Sequence, residues 1–397
     1  MDTKTLERLE RIVINRSGWV ELFNAYYDIL TSFICFQSDE EPIVITNWIV
    51  STYLAQEFSY AGYLHIFSAT ERCGKSKSIE VIECLVHEPL NTANISDSAL
   101  FRSLDNEGGV TLILDEIDKL DKQAKSEQIG ILNSGYSKRG AQVTRTEGTN
   151  GNFTVKRYSA YGPKLFSGIG QDNLGNTLRD RSFPIELKRM LPSERVQRLI
   201  YKHQFEMLDE WKIKLQELTE ELKKAEEQVF SDFLIEEVIA VLSKLNSDDR
   251  AIDISHPLVA ISLLGNMDWV TKTINAVNTL TGKKTEEVSW ETELLMICRE
   301  IFKTDKNKGI YSNDLADALN NWSESRFSSF NNGNGINKNG VARALKGFGI
   351  KTKQLRLNGE NRRGYYWDDF QDAFARWLPQ VEVEVSEEEK VEEVSPF

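Results

Sequence analysis

Apolar and polar positions along this chain switch between a helical and a strand period, and the switches mark out its elements. Leu6, Leu9, Ile12 and Val13 recur at helical spacing and 42–58 is mostly apolar, so 3–60 reads as helices. Residues 63–67 form a short apolar run that feeds a polar loop, and 76–86 returns to the helical period. Residues 91–94 predict a second short strand, and Ser96 predicts an N-cap for a helix ending at Leu104. Gly108 and Gly109 break the chain before an apolar strand at 110–114, and a helix is expected over 123–137. The β-prone stretches 143–146 and 153–158 flank a turn-rich 147–152, which is a hairpin signature. A buried strand at 163–170, a short helix or turn at 171–180 and a last strand at 182–187 follow. Strands alternating with helices predict an α/β fold with a parallel core.

Beyond the core, a highly charged helix is expected from Ser193 to about Val229. It reads as an amphipathic surface helix, a projecting arm or a self-associating seam. More helices are expected over 230–280, and a boundary near 281–285. The last folded segment predicts a helix at 341–348, strands at 353–357 and 363–367 around a turn, and a helix at 368–378. The resulting organisation is 1–60 helical, 61–192 core, 193–285 helical lid or arm, 286–380 a small domain and 381–397 an acidic tail.

Composition narrows the class. At 397 residues, 40% hydrophobic and 10% aromatic, the chain can bury a full core. Of the net charge of −13, the tail 381–397 carries −6, which leaves room for local basic surfaces but not for a generally basic coat. Cys35, Cys73, Cys84 and Cys298 have no paired spacing, so neither a disulfide framework nor a zinc site is supported. No secretory leader and no apolar run of membrane-spanning length is visible, which predicts a cytoplasmic protein with no membrane partner.

Residues 69–77 read Ala-Thr-Glu-Arg-Cys-Gly-Lys-Ser-Lys, and 110–116 read Val-Thr-Leu-Ile-Leu-Asp-Glu. Together they resemble the two halves of a nucleoside triphosphatase site, with ATP and Mg²⁺ as the implied cofactors. Backbone N–H groups of Ala69, Thr70, Glu71, Arg72, Cys73 and Gly74 would wrap phosphates, followed by Lys75, Ser76 and Lys77 on the helix. Lys75 would reach the terminal phosphates, Ser76 and Asp115 would hold the metal, and Glu116 would polarise the attacking water. Ala69 stands where the loop pattern has its first Gly, a tolerable departure unless that position needs positive φ.

Leu178-Arg179-Asp180-Arg181-Ser182-Phe183 is similar to the Leu-Arg-x-Arg-Phe region of AAA+ ATPases. That resemblance makes Arg181 the candidate for an arginine projected into a neighbour's nucleotide, with Arg179 in reserve, and implies a homo-oligomeric ring of six subunits. The polar residue between acidic strand and phosphates would be Ser167, with Gln171 or Asn173 as alternatives. In related ring helicases a hairpin inserted here grips DNA, and Lys138, Arg139, Arg145, Lys156 and Arg157 surround this one. Residues 343–363 add Arg343, Lys346, Lys351, Lys353, Arg356, Arg362 and Arg363 on a helix–hairpin–helix that resembles a winged helix, used for DNA or for protein docking.

Several motifs in order (Arg72-Cys73-Gly74-Lys75, Ser98-Ala99-Leu100-Phe101-Arg102, Ile131-Leu132-Asn133-Ser134-Gly135, Gly162-Pro163-Lys164 and Gly364-Tyr365-Tyr366-Trp367) resemble one ATPase family of phages, plasmids and integrative elements. The resemblance covers about 60–380 and implies a P-loop core of the AAA+-like (ASCE) type with a β-hairpin insertion, a helical lid and a C-terminal winged-helix-like domain. It further implies a replicative helicase-type motor on single- or double-stranded DNA, or, as the alternative, a loader or switch ATPase that does not unwind. The chain is expected to lack a fused primase, which leaves a separate primase or host replication protein as the implied partner. The tail, closing on Ser395-Pro396-Phe397, resembles the tip of bacterial single-stranded-DNA-binding proteins and is the candidate docking element.

Overall fold

The computed structural model describes residues 15–92, 95–117, 125–149, 152–171, 174–191, 193–224, 232–245, 248–282, 290–304, 309–322, 326–357 and 359–378. The expectations for residues 1–14, Asn173 and the acidic tail fall outside the described residues. The chain divides into two compact units, Met1–Lys284 and Thr285–Phe397. Among the described residues no helix is long and apolar enough to cross a membrane.

The strands of the first unit are β1 (Tyr63–Ser68), β2 (Pro89–Thr92), β3 (Thr111–Leu114), β4 (Gln142–Thr149), β5 (Asn152–Ser159), β6 (Lys164–Ile169) and β7 (Ser182–Glu186). Five of them form an all-parallel sheet in the order β2-β3-β6-β1-β7, while β4 and β5 pair as a separate antiparallel hairpin. Tyr63–Ser68 and Thr111–Leu114 are buried at every position, as expected of parallel strands covered on both faces. The chain is thus mixed α/β with a parallel central sheet.

Helices of this unit are α1 (Arg16–Phe33), α2 (Glu40–Tyr53), α3 (Lys75–Leu85), α4 (Asp97–Leu104), α5 (Lys125–Ser134), α6 (Asn176–Arg179), α7 (Lys202–Lys224), α8 (Asp232–Leu245), α9 (Asp249–Ser262) and α10 (Met267–Gly282). On α1, Trp19, Leu22, Phe23, Tyr26, Ile29, Leu30 and Phe33 make one buried stripe. Helix α2 is buried from Glu41 to Tyr53, and its Asn47 is satisfied inside the core by Thr273 and Trp269. The buried Glu41 carboxylate accepts from the backbone N–H groups of Gln37 and Glu186, so it ties the start of α2 to the end of β7. Ser96 caps α4 by accepting from the Ala99 N–H, the role its position predicts.

The charged helix expected from Ser193 begins instead at Lys202. Gln204 accepts from the N–H groups of Ile200 and Tyr201 through its side chain, which caps the helix there. Upstream, the Gln197 N–H donates to Ser32 O and Leu199 is buried in the core, so 193–201 is held off the helical path by tertiary contacts. The hairpin strands run longer than expected, to Thr149 and Asn152, because their register pairs those two residues.

The second unit holds α11 (Trp290–Thr304), β8 (Gly309–Tyr311), α12 (Ser312–Asn320), α13 (Phe330–Gly333), α14 (Lys338–Gly347), β9 (Lys353–Leu357), β10 (Glu360–Tyr366) and α15 (Gln371–Trp377). Its sheet has the order β8-β10-β9, and a core of Leu294, Cys298, Leu315, Leu345, Tyr365 and Phe370 fills it.

Candidate functional site

Three groups come together where β1 and β3 end. Ser68, the last residue of β1, is fully buried; its hydroxyl donates to Thr70 O at 2.7 Å and accepts from Lys75 Nζ at 2.7 Å. Ala69, Thr70, Glu71 and Arg72 continue as an exposed loop, and left-handed φ falls at Arg72 (64°) and Gly74 (90°), not at Ala69. The alanine in place of glycine therefore meets no backbone strain. A Cβ added at Gly74 would meet no atom within 4 Å, so the turn into α3 faces open space. Cys73 Sγ lies 3.6 Å from Thr70 Oγ1, and Lys77 turns along the helix to pair with Glu80.

From β3, Asp115 approaches the same helix N-terminus. Ser76 Oγ lies 3.5 Å from Asp115 Oδ2, and the other carboxylate oxygen accepts from the Glu116 N–H at 2.9 Å. Glu116 takes a left-handed φ of 55°, turning the chain at the strand end and leaving its side chain exposed. Lys75, Ser76 and Asp115 are thus brought together, and Glu116 adjoins them. Ser167 is placed differently: it pairs with Ile66 in mid-sheet, is fully buried, and its hydroxyl has no partner among the described residues. Gln171 is the polar residue just past the strand end, half-buried beside Gly170, whose N–H donates to Ser68 O.

Sequence reasoning missed two features of this edge. One is Ser68, whose only sequence signal is its position at the junction of strand and loop. The other is a pocket of about 770 Å³ beside the loop, lined by Phe33, Ile34, Cys35, Cys73, Gly74 and Leu187. The displaced segment 195–200 completes its wall.

Arg181 sits at the other edge of the sheet. Its carbonyl accepts from the Tyr63 N–H at the start of β1, so the length of that strand separates it from the loop. Its guanidinium donates to Thr177 O and lies 4.5 Å above the ring of Tyr136. Partial burial, then the nearby Arg250 charge, lower its pKa from the usual arginine value. Arg179 donates to Asn176 Oδ1 within α6.

The hairpin has two unlike faces. Register pairs Arg145 with Lys156 and Glu147 with Thr154, and these share a face with Val143 and Tyr158. That face lies on α4: Tyr158 packs on Phe101, and the Arg145 guanidinium lies 4.9 Å over the same ring. Glu147 takes an ion pair from Arg102 at 2.5 Å and from Lys156 at 3.1 Å. Hydrogen bonds from Tyr158, Arg102 and Lys156 hold its carboxyl down to about 2. The opposite face carries Phe153 and Val155, 68% and 67% exposed, with Arg157, Thr144 and Thr146. Of the five cations singled out from sequence, Lys138 and Arg139 precede the hairpin strands, and of the three on the strands Arg157 is the one on the open face.

In the second unit the same split recurs. Lys353 pairs with Asp369 and Arg362 with Glu360, on the face of β9–β10 that holds the buried Leu355. Arg356 and Arg363 lie on the other face, exposed, and Arg343 and Lys346 are exposed on α14.

Comparison with known proteins adds two likenesses. A family described as a protein of unknown function (DUF3631) matches residues 186–377, from the end of β7 through α15. An uncharacterized 28.9 kDa protein in the xis 5′ region of Saccharopolyspora erythraea is 27% identical over 135 residues, 33% of this chain and 50% of that protein. The chain thus spans half the length of that relative. The loop 69–77, Asp115 and the hairpin all precede the segment that the family matches.

Proposed function

We propose that this chain is an ATP-hydrolysing, DNA-directed motor of AAA+-like P-loop type, working as a ring of copies. The observation that carries the reading is the convergence of Lys75, Ser76 and Asp115 at one sheet edge. Ser76 Oγ and Asp115 Oδ2, 3.5 Å apart, are hard oxygen donors that would hold Mg²⁺. ATP with Mg²⁺ supplies the phosphoanhydride to be cleaved and a cation that offsets its charge. Lys75 then leaves Ser68 for the terminal phosphates, the helix N-terminus of α3 faces them, and Glu116 orients the water. The 770 Å³ pocket beside Cys73 and Gly74, with apolar walls at Phe33, Ile34 and Leu187, suits a nucleobase.

In this reading 193–285 serves as the lid. The open hairpin face with Phe153, Val155 and Arg157 contacts a DNA strand by ring stacking and phosphate pairing. The second unit acts as a winged-helix-like DNA contact through Arg343, Lys346, Arg356 and Arg363.

ATP turnover by wild type and Lys75→Ala, with and without single-stranded DNA, tests the reading. Turnover stimulated by DNA and lost in Lys75→Ala is expected. Turnover equal in both proteins overturns the assignment, and turnover indifferent to DNA favours the loader or switch.

A further inference from the structure

The second unit leaves one sheet edge open. In the order β8-β10-β9, strand β9 lies at the border, and among the described residues no backbone group of 353–357 bonds to another backbone group outside β10. Side-chain hydroxyls reach the strand at two points, Tyr366 at Gln354 O and Tyr311 at Leu357. Such an edge is a row of donors and acceptors that an extended segment can complete. Its two faces differ. Lys353, Leu355 and Leu357 lie on one, where Leu355 is buried, and Gln354 and Arg356 lie on the other. Register sets Asn361 opposite Arg356 and Arg363 opposite Gln354, so Arg356 and Arg363 share the second face as diagonal neighbours about 7 Å apart. Both are exposed and in no ion pair among the described residues, and no carboxylate stands on that face of either strand.

The chain itself carries a segment of matching pattern. Helix α15 ends at Trp377, whose ring meets that of Phe348 at 5.7 Å, five residues before β9 begins. Lys353 Nζ, 2.5 Å from Asp369 Oδ1, ties the same end of β9 to the turn before α15. Leu378 then takes extended backbone, φ −114° and ψ 146°, and Pro379 cannot continue a helix. The chain therefore leaves α15 near the start of the open edge. Two residues on, Val381-Glu382-Val383-Glu384-Val385 alternates with period two over five residues, the length of β9. Seven residues beyond Leu378 span about 23 Å when extended, enough to run along a strand about 17 Å long. We infer that 381–385 adds to the free edge of β9 as a fourth strand, its valines on the Leu355 face and Glu382 and Glu384 on the face of Arg356 and Arg363. The opposite facing would set valines beside arginines and glutamates beside Leu355, so pattern and charge select one parity of register. The pairing stands apart from the nucleotide reading, and its consequence rests on the proposed DNA contact. Arg356 and Arg363 belong to that contact, so this strand shields it, and DNA has to displace two carboxylates to reach them.

Amide hydrogen exchange on the full-length protein reads the pairing directly. Amides of 353–357 and 381–385 are expected to exchange about tenfold or more slowly in wild type than in Val383→Pro, which keeps every charge but removes a donor in mid-strand. Exchange over 381–385 as fast as over 386–397 in wild type overturns the pairing. Protection lost on dilution assigns the edge to the tail of a second copy and overturns the own-chain occupant. Arg356→Glu, a change at an exposed position, should lower the protection, and adding Glu382→Lys with Glu384→Lys should restore it. Protection indifferent to these charge changes overturns the stated facing. Binding of a labelled DNA duplex at low salt measures the consequence, with Val383→Pro expected to bind about threefold or more tightly than wild type. Equal affinity beside a protected 381–385 overturns the shielding and leaves the pairing. Absence of DNA binding by either protein overturns the shielding together with the proposed DNA contact, while exchange still decides the pairing.

Discussion

Lys75 Nζ donates to Ser68 Oγ at 2.7 Å, and the same hydroxyl donates to Thr70 O, so one buried serine holds both the lysine and the loop. Ser68→Ala releases both contacts without disturbing the apolar strand. In the proposed reading nucleotide draws Lys75 off Ser68, so the bond to Thr70 O is the one that counts; at about 1 kcal/mol, its loss is expected to weaken nucleotide affinity by up to about fivefold, less than in Lys75→Ala. Titration with a fluorescent nucleotide measures this. Unchanged affinity in Ser68→Ala shows that the loop does not depend on that anchor.

Lys164 is fully buried and donates to Ala160 O and Gly162 O at 3.0 and 2.8 Å, 4.8 Å from the Tyr63 ring centre. Burial pushes its ammonium down to about 7. In the unfolded chain a lysine titrates near 10.4, so between about pH 7 and 10 the unfolded state binds more protons and stability rises with pH. Urea unfolding across that window is expected to show the rise in wild type and a flatter profile in Lys164→Met, which carries no proton in either state. An equal rise in both proteins assigns the effect elsewhere.

Gly135 leaves no room for a side chain. A Cβ there would run into the Ala160 carbonyl oxygen and lie 2.5 Å from Lys164 Nζ. Gly135→Ala is expected to destabilise the first unit by about 1–3 kcal/mol through overpacking, read as a lowered thermal midpoint. A midpoint equal to wild type would show that the junction between α5 and the hairpin root yields freely.

The two faces of the hairpin separate positioning from contact. Phe153→Ala is expected to lower DNA stimulation of turnover several-fold while leaving DNA-free turnover alone, since one stacked base contributes about 1–3 kcal/mol. Glu147→Ala breaks the pairs to Arg102 and Lys156 and should loosen the hairpin on α4, seen as faster amide exchange over β4 and β5. Equal loss of DNA stimulation in Phe153→Ala and Thr154→Ala, on opposite faces, would argue against a one-sided contact surface.

Where a signal was local, it was legible in the sequence. Each half of the Lys75–Asp115 constellation is a strand running into a short turn, and the parallel order of β3, β6 and β1 brings the two halves to one edge. The hairpin was also legible, but not its orientation. Counting nearby cations groups Lys138, Arg139, Arg145, Lys156 and Arg157, whereas the strand period of two sets Arg145 and Lys156 against Arg157. What draws Arg145 and Lys156 to that face is the Phe101 ring and the Glu147 carboxylate, a meeting that no window of sequence contains. The start of α7 was missed for the same reason: 193–201 carries helix-forming residues, and its path is set by the burial of Leu199 and the bond from the Gln197 N–H to Ser32 O.

The placement of Lys75 and Arg181 at opposite ends of β1 restricts how copies of this chain can share a nucleotide. A contact joining the arginine edge of one copy to the loop edge of the next uses two different surfaces, so no twofold axis can relate the pair. A dimer made this way has one completed site and one bare edge at each end. Under the proposed function only closure would satisfy every copy, so turnover per subunit is expected to rise steeply with concentration and one defective member to disable the site it was meant to complete.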